Sequence, residues 1–544
     1  MKCEIRYKRG ARVETLSFSG TEERSHFRME AAALAAALTE DENGVLRLML
    51  TPHEPVMLES VKVELPFRFL SSDALFLNGY QSWTDSEELS VMSIMPGLLQ
   101  TPRAAQERFV LRAYGDYDFE HYSARPGELH GFTYAYVRRG SEYRLFGSLS
   151  ERPGFTAIRF FARQNRIELA RDCSGLVITE PYAALEVAQI TGGEDEVFDL
   201  WFSMQNIAPP TAKPITGYTS WYNYYQDISE EKILKNLDAV AEAPVQFDVF
   251  QIDDGFQTHV GDWLSIDKAK FPNGLKDIAA RVRELGMTPG LWLAPFVCEY
   301  GSEMAAQHPD WLLRDDKGKP IRGGINWDGF WVWDFYNSEA REYIRKCLQT
   351  AVRDWGFGLL KLDFLYAVCL KPTKDRTRGQ IMCEAMDFLR EATDGALLLG
   401  CGVPLGAAFG KVDYCRIGCD VGLDYNDKVY MRLAHRERVS TRNSMRNTVF
   451  RRQLSGRAFW NDPDVFLLRH DNISLSWEQR ETLAAVNSQF GGVLFTSDDV
   501  SGYDAQQAEV LRRTLHPVKA KDISIRRIGT RQILKLDGRR LILY

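Results

Sequence analysis

The sequence predicts an α/β protein: a (β/α)8 TIM barrel with an N-terminal β-sandwich and a short C-terminal β appendage. Three observations carry this expectation. From Ile215 onward, short apolar runs alternate with amphipathic stretches of helical period, and eight such runs can be counted. Before about residue 205 the chain instead shows short segments of alternating hydrophobicity broken by Gly, Pro, Asn and Ser. Between the two lies IAPPTAKPITG, whose three prolines in a short polar stretch mark a linker. The expected divisions are 1–208, 215–515 and 516–544.

In order along the chain, MKCEIRYKRGARVETLSF reads as a strand pair turning at Arg9 and Gly10. The run EAAALAAALTEDENG, rich in the best helix former, predicts a short helix ending near Gly44. VKVELPFRF, FTYAYVRR, YRLFGSL, FTAIRFFA and RIELARD are sandwich strands. The barrel strands are ITGYTSWY, FDVFQIDD, TPGLWLAP, LLKLDFL, ALLLGCG, YCRIGCD, GRAFWND and GGVLFTS. Helical segments such as SEEKILKNLDAVAE, GLKDIAARVRELG and SEAREYIRKCLQTAVRDWG separate most of them. A doubly wound open sheet would compete, but no Gly-x-Gly-x-x-Gly or Walker sequence supports one. The last segment, ISIRRIGTRQILKLDGRRLILY, predicts strands turning at Gly529 and at Asp537-Gly538.

Composition narrows the function classes. The net charge of −7 over 544 residues comes from interspersed acids and bases, which recruits neither nucleic acid nor an anionic membrane. No apolar segment is long enough to span a bilayer and the start lacks an apolar signal core, so a cytoplasmic protein is expected. Nine scattered cysteines without Cys-x-x-Cys suit reduced thiols, and nine histidines without a His-x-His or His-Glu-x-x-His pattern give no reason to expect a metal.

In a barrel of this kind the working residues stand at the C-terminal ends of the strands. Those ends carry Trp221, Asp253 with Asp254, Trp292, Lys361 with Asp363, Cys401, Arg416 with Asp420, and Trp460 with Asp462. Each has an ordinary reading alone: Asp253-Asp254-Gly255 as a turn, Trp292 as core, Arg416 and Asp420 as an ion pair. Their common position is what argues against accident. Acids and tryptophans at one rim suit a carbohydrate, because indole faces stack on sugar C–H surfaces and carboxylates accept from vicinal hydroxyls.

QIDDGFQ, GLWLAP, KLDF, the Arg-x-x-x-Asp of RIGCD, and WNDPD, in that order, resemble the α-galactosidase clan of retaining glycosidases, and most of all glycoside hydrolase family 36. NGYQSW, Asn78 to Trp83, resembles a segment of the same family. The resemblance implies cleavage of terminal α-linked galactose from oligosaccharides or glycosides, with Asp363 as nucleophile and Asp420 as general acid/base. It implies that Asp253, Asp254, Lys361, Arg416, Trp292 and Cys401 bind the sugar, with Trp221 a weaker member and Asp462 weaker still. Lys361 would favour the charged form of Asp363, and Arg416 would face the substrate or Asp363. No cofactor is implied. Two related activities fit the same residues: removal of α-linked N-acetylgalactosamine, and galactosyl transfer of the raffinose synthase type. Relatives often form tetramers, so a homo-oligomer is compatible, and NGYQSW would reach a neighbouring site or complete its own.

Overall fold

The computed structural model describes residues 1–20, 26–528 and 531–543. The N-terminal region is two antiparallel sheets, one of seven strands and one of eight. Along Lys2–Arg9 and Val56–Pro66 buried and half-exposed positions alternate, and the buried ones (Ile5, Val61, Val63) share a core with Leu38, Leu46 and Leu48 of the other sheet. The first hairpin turns at Gly10-Ala11, with Arg9 opposite Arg12.

The alanine-rich run is not a helix. Its Glu30 ends the strand His26–Glu30, and its apolar part forms the strand Leu34–Glu40, which pairs Leu38 with Leu48. Burying Ala36 and Leu38 between two sheets outweighs the intrinsic helix preference of alanine, which is worth only tenths of a kcal/mol per residue. The polar tail closes a hairpin, since Asp41 Oδ1 accepts from the backbone N–H of Asn43 and Val45 at 3.0 Å each.

The barrel strands are Ile215–Thr219, Val249–Ile252, Thr288–Leu293, Leu359–Leu362, Leu397–Gly400, Tyr414–Arg416, Trp460–Asp462 continuing in Val465–Phe466, and Val493–Thr496. All pair in parallel, in sequence order. Strand seven is interrupted by Pro463 and Asp464; its first half pairs with strand six and its second with strand eight, which itself pairs with strand one, so the ring closes. Helices separate most strands, but between strands five and six there is only the single turn Leu405–Ala408. No helix among the described residues is long and apolar enough to cross a membrane.

The C-terminal strands Ile523–Ile528, Arg531–Leu536 and Arg539–Leu543 form one antiparallel sheet. Asp537 (φ 47°) and Gly538 (φ 85°) make the expected two-residue turn, while the expected turn at Gly529 lies outside the described residues.

The sandwich and the barrel meet at Arg451, which is fully buried at the end of helix Thr441–Phe450. Its guanidinium donates to Asn78 Oδ1 (2.9 Å) and to the carbonyls of Ser82 (2.6 Å), Gln81 (3.2 Å) and Ile417 (2.8 Å). The first three belong to NGYQSW and the fourth to the end of strand six. One cation thus pins the sandwich loop to the barrel mouth, and burial without a carboxylate at hydrogen-bond distance lowers its pKa to about 10. Arg451→Ala strips a donor from four buried acceptors and is expected to cost about 3 kcal/mol or more. Urea unfolding checks this, and a loss under about 1 kcal/mol would mean the clamp is idle.

Candidate active site

The site is assembled from strand ends and from loops of both regions. Strand four runs apolar through Leu359, Leu360 and Leu362, with Lys361 between them, and Asp363 follows at once. Trp292 of strand three lies opposite Lys361. The backbone N–H of Asp363 still bonds Leu293 O at 2.9 Å, so the carboxyl leaves from rigid sheet. Phe364, next in line, takes a left-handed conformation (φ 54°, ψ 31°), turning the chain away beneath the pocket.

Asp363 is held by neutral donors. Trp292 Nε1 reaches Oδ2 at 3.1 Å, the backbone N–H of Phe364 reaches Oδ1 at 2.8 Å, and Cys401 adds a side-chain hydrogen bond. Burial raises its pKa above the usual aspartate range, with Lys361 opposing and Asp420 reinforcing the rise. Lys361 favours the charged form of Asp363, as expected, but burial outweighs it, so the carboxyl is not held low. Lys361 Nζ makes its ion pair with Asp253 Oδ2 at 2.9 Å, across the barrel mouth. Burial opposes the charge on Lys361, but Asp253 outweighs it and its pKa rises.

Asp253 also accepts from Gln251 Nε2 (2.8 Å), Thr219 Oγ1 (3.3 Å) and the backbone N–H of Asp254 (3.0 Å). Asp254 is bound by Gln257 (2.6 Å), Gln226 (2.9 Å) and Trp327 Nε1 (2.8 Å). Burial pushes it up to about 6 despite these donors.

The second correction concerns Arg416. It faces neither the cavity nor Asp363. Its guanidinium lies under Asp420 and is divided among Asp420 (2.8 Å), Asp462 (3.1 Å) and Asp464 (2.8 Å). Asp464 additionally accepts from Tyr222 OH and from the backbone N–H of Val421 (2.7 Å), and its pKa is raised by burial beyond what Arg416 offsets. Asp462 and Asp464 thus fix the loop that carries Asp420. Cys401 is likewise not in the cavity wall: its sulfur accepts Trp83 Nε1 at 3.4 Å and is covered by that indole.

A cavity of about 180 Å³ brings Asp253, Asp254, Trp292, Lys361, Asp363, Asp420 and Trp221 together. The two candidate catalytic carboxyls differ in setting. Asp363 is 7 % exposed, whereas the Asp420 side chain is 43 % exposed. Sequence reasoning missed Trp327, Tyr114 and Glu437, which complete the wall, and left open where Trp83 belongs. Trp83 reaches the site within its own chain, because Gly402 (φ +59°) leaves room: a Cβ there would come within 2.9 Å of the indole. Trp327 arrives on a loop whose φ values at Trp327 (55°) and Asp328 (59°) are both left-handed. Asn-Trp-Asp-Gly is the one local signal that could have flagged it.

A family profile named Melibiase matches residues 207–381, and one named Alpha galactosidase A matches 335–518. The structure of TtGalA, an α-galactosidase from Thermus thermophilus in complex with stachyose, is 30 % identical with a TM-score of 0.71, covering 90 % of this chain and 99 % of that one. The chain belongs to the melibiase family. Among curated family members, α-galactosidase AgaA of Geobacillus stearothermophilus is 37 % identical over 151 residues, 26 % of this chain and 20 % of its own length. An A type blood α-D-galactosamine galactosaminidase of Flavonifractor plautii is 28 % identical over 213 residues, 34 % of this chain and 19 % of its own length. The chain thus spans about a fifth of the length of these curated melibiase relatives, but nearly all of the Thermus structure.

Glu437 gives this melibiase family member a testable proton. Burial raises its carboxyl to about 7 from an ordinary 4.5, against hydrogen bonds from Tyr117 and from Thr84 (2.8 Å). The folded state holds that proton more tightly than the unfolded one, so its stabilisation is full below about 4.5 and is lost as pH rises through about 7. Glu437→Gln is expected to gain stability relative to the parent between about pH 5 and pH 8, read as diverging urea midpoints. Parallel midpoints would refute it.

Proposed function

We propose that the protein is a retaining α-galactosidase that removes terminal α-linked galactose from oligosaccharides or glycosides by double displacement. The observation that carries this reading is the shared cavity of Asp363 and Asp420, one carboxyl buried against strand three and four, the other half-exposed at the rim. Asp363, oriented through Trp292 and the Phe364 N–H, attacks the anomeric carbon while Asp420 gives its proton to the departing oxygen. A glycosyl ester of Asp363 forms. Asp420, now a carboxylate, takes a proton from water, which attacks the same carbon and releases the sugar with its original configuration. Asp253, Asp254 and Lys361 accept from or donate to ring hydroxyls, and Trp292 supplies an apolar wall.

Nine cysteines, all free and buried, support a cytoplasmic setting. The deciding experiment is a screen of aryl α- and β-glycosides of galactose, glucose and N-acetylgalactosamine, with acceptor sugars added in a parallel arm. Galactose release from the α-galactoside alone supports the reading; preference for N-acetylgalactosamine, or transfer outrunning hydrolysis, would replace it.

Asp363→Asn is expected to lower turnover of an aryl α-galactoside by several orders of magnitude with the fold intact, checked by kinetics beside circular dichroism. Near-normal turnover would reject the nucleophile. Asp420→Asn should slow substrates with poor leaving groups more than activated ones, because the latter need less protonation. Equal losses would reject the acid role.

A further inference from the structure

After strand three the chain makes an excursion in which Val297–Glu299, Arg322–Gly324 and Phe330–Val332 pair as a small antiparallel sheet. The loop joining the last two strands, 325–329, carries Asn326 and Trp327 to the cavity wall. Trp327 is left-handed there (φ 55°), a conformation that a bulky side chain avoids, so contacts from outside the loop have to hold it. Tyr114, a residue of the sandwich region, supplies them. Its hydroxyl donates to Asn326 Oδ1 and accepts from the Ile325 N–H, both at 2.8 Å, across 212 positions of chain in the first case. Gly324 permits the approach, because a Cβ there would run into that hydroxyl. Tyr114 is in turn tied to NGYQSW, since Gln81 Nε2 donates to its carbonyl at 3.1 Å.

The consequence reaches a carboxyl. Trp327 Nε1 donates to Asp254 Oδ2 at 2.8 Å, and among the described residues the other donor to that oxygen is Gln226 Nε2 at 2.9 Å. We propose that Tyr114 is a positioning residue for the sugar: through the loop 325–329 it sets the Trp327 indole, and the indole sets the Asp254 carboxyl that meets a ring hydroxyl. This rests on the glycosidase reading above and adds to it a residue from outside the barrel. A hydroxyl that takes no part in bond breaking is held alike in the bound and transition states, so losing its partner raises KM and leaves kcat in place.

The test measures KM and kcat on an aryl α-galactoside for Tyr114→Phe, Trp327→Phe and the double variant, with free galactose as a competitive inhibitor. Each substitution keeps an aromatic ring, so all three variants are expected to fold, checked by urea midpoints. Tyr114→Phe is expected to raise KM, and the inhibition constant of galactose with it, by about five- to tenfold while kcat stays within about twofold. Trp327→Phe should raise both constants at least as far. The double variant should match Trp327→Phe to within about twofold, because the Tyr114 hydroxyl then has no indole N–H to place. Losses that multiply in the double variant, an unchanged KM in Tyr114→Phe, or a fall in kcat at constant KM each overturn the positioning role while leaving the glycosidase standing. A parent protein inert toward the aryl α-galactoside overturns the glycosidase reading and this role with it.

Discussion

At the mouth of the barrel six carboxyl groups, those of Asp253, Asp254, Asp363, Asp420, Asp462 and Asp464, share two cations, Lys361 and Arg416. Much else in the structure answers to that imbalance. Full ionisation would place several uncompensated negative charges in a low-dielectric site, which no packing energy could offset. The protein responds in two ways. Asp254, Asp363 and Asp464 hold their protons more tightly than isolated aspartates do. The remaining charge is spread over neutral donors: indoles at Trp292 and Trp327, amides at Gln226, Gln251 and Gln257, the Tyr222 hydroxyl, and backbone N–H groups at Asp254, Phe364 and Val421.

Pairing each cation away from Asp363, the proposed nucleophile, has a mechanistic use. If Lys361 bonded Asp363 directly, the carboxylate would be better stabilised and less reactive. With Lys361 engaged by Asp253, Asp363 feels the cation as a field while both its oxygens point at donors that fix direction without transferring a full charge. Asp420 is oriented in a complementary manner. The Arg416 guanidinium that reaches it is already divided with Asp462 and Asp464, so the side chain is anchored at its base yet remains open to the cavity.

Rigidity at the mouth comes from outside the barrel as well. NGYQSW is held by Arg451 and by mutual bonds between Ser82 and Val403, and it delivers Trp83 over Cys401 and against Phe364, ring centroids 5.0 Å apart. Conformational strain collects around the cavity at Tyr225, Trp327, Phe364 and Asp464, all with positive φ. Such geometry persists only where surrounding contacts over-determine it, and here two packed units meet.

What the sequence by itself determined was local. Each barrel strand is a short apolar run, so eight runs and their terminal polar residues were legible without coordinates, as were the sandwich alternation and the Asp537-Gly538 turn. The gathering of Asp253, Asp254, Trp292, Lys361, Asp363 and Asp420 at one rim follows from the rule that all strand ends share a face. Tertiary structure decided which charges touch. Lys361 finds Asp253, 108 residues away, and Arg416 finds Asp464 across a broken strand, because closing the ring sets lateral register that no single strand encodes. Burial against the facing sheet likewise turned an alanine-rich run from the helix its composition favours into a strand. Tertiary structure also brought Tyr114 and Glu437 to the cavity from segments whose own sequences carry no sign of a destination.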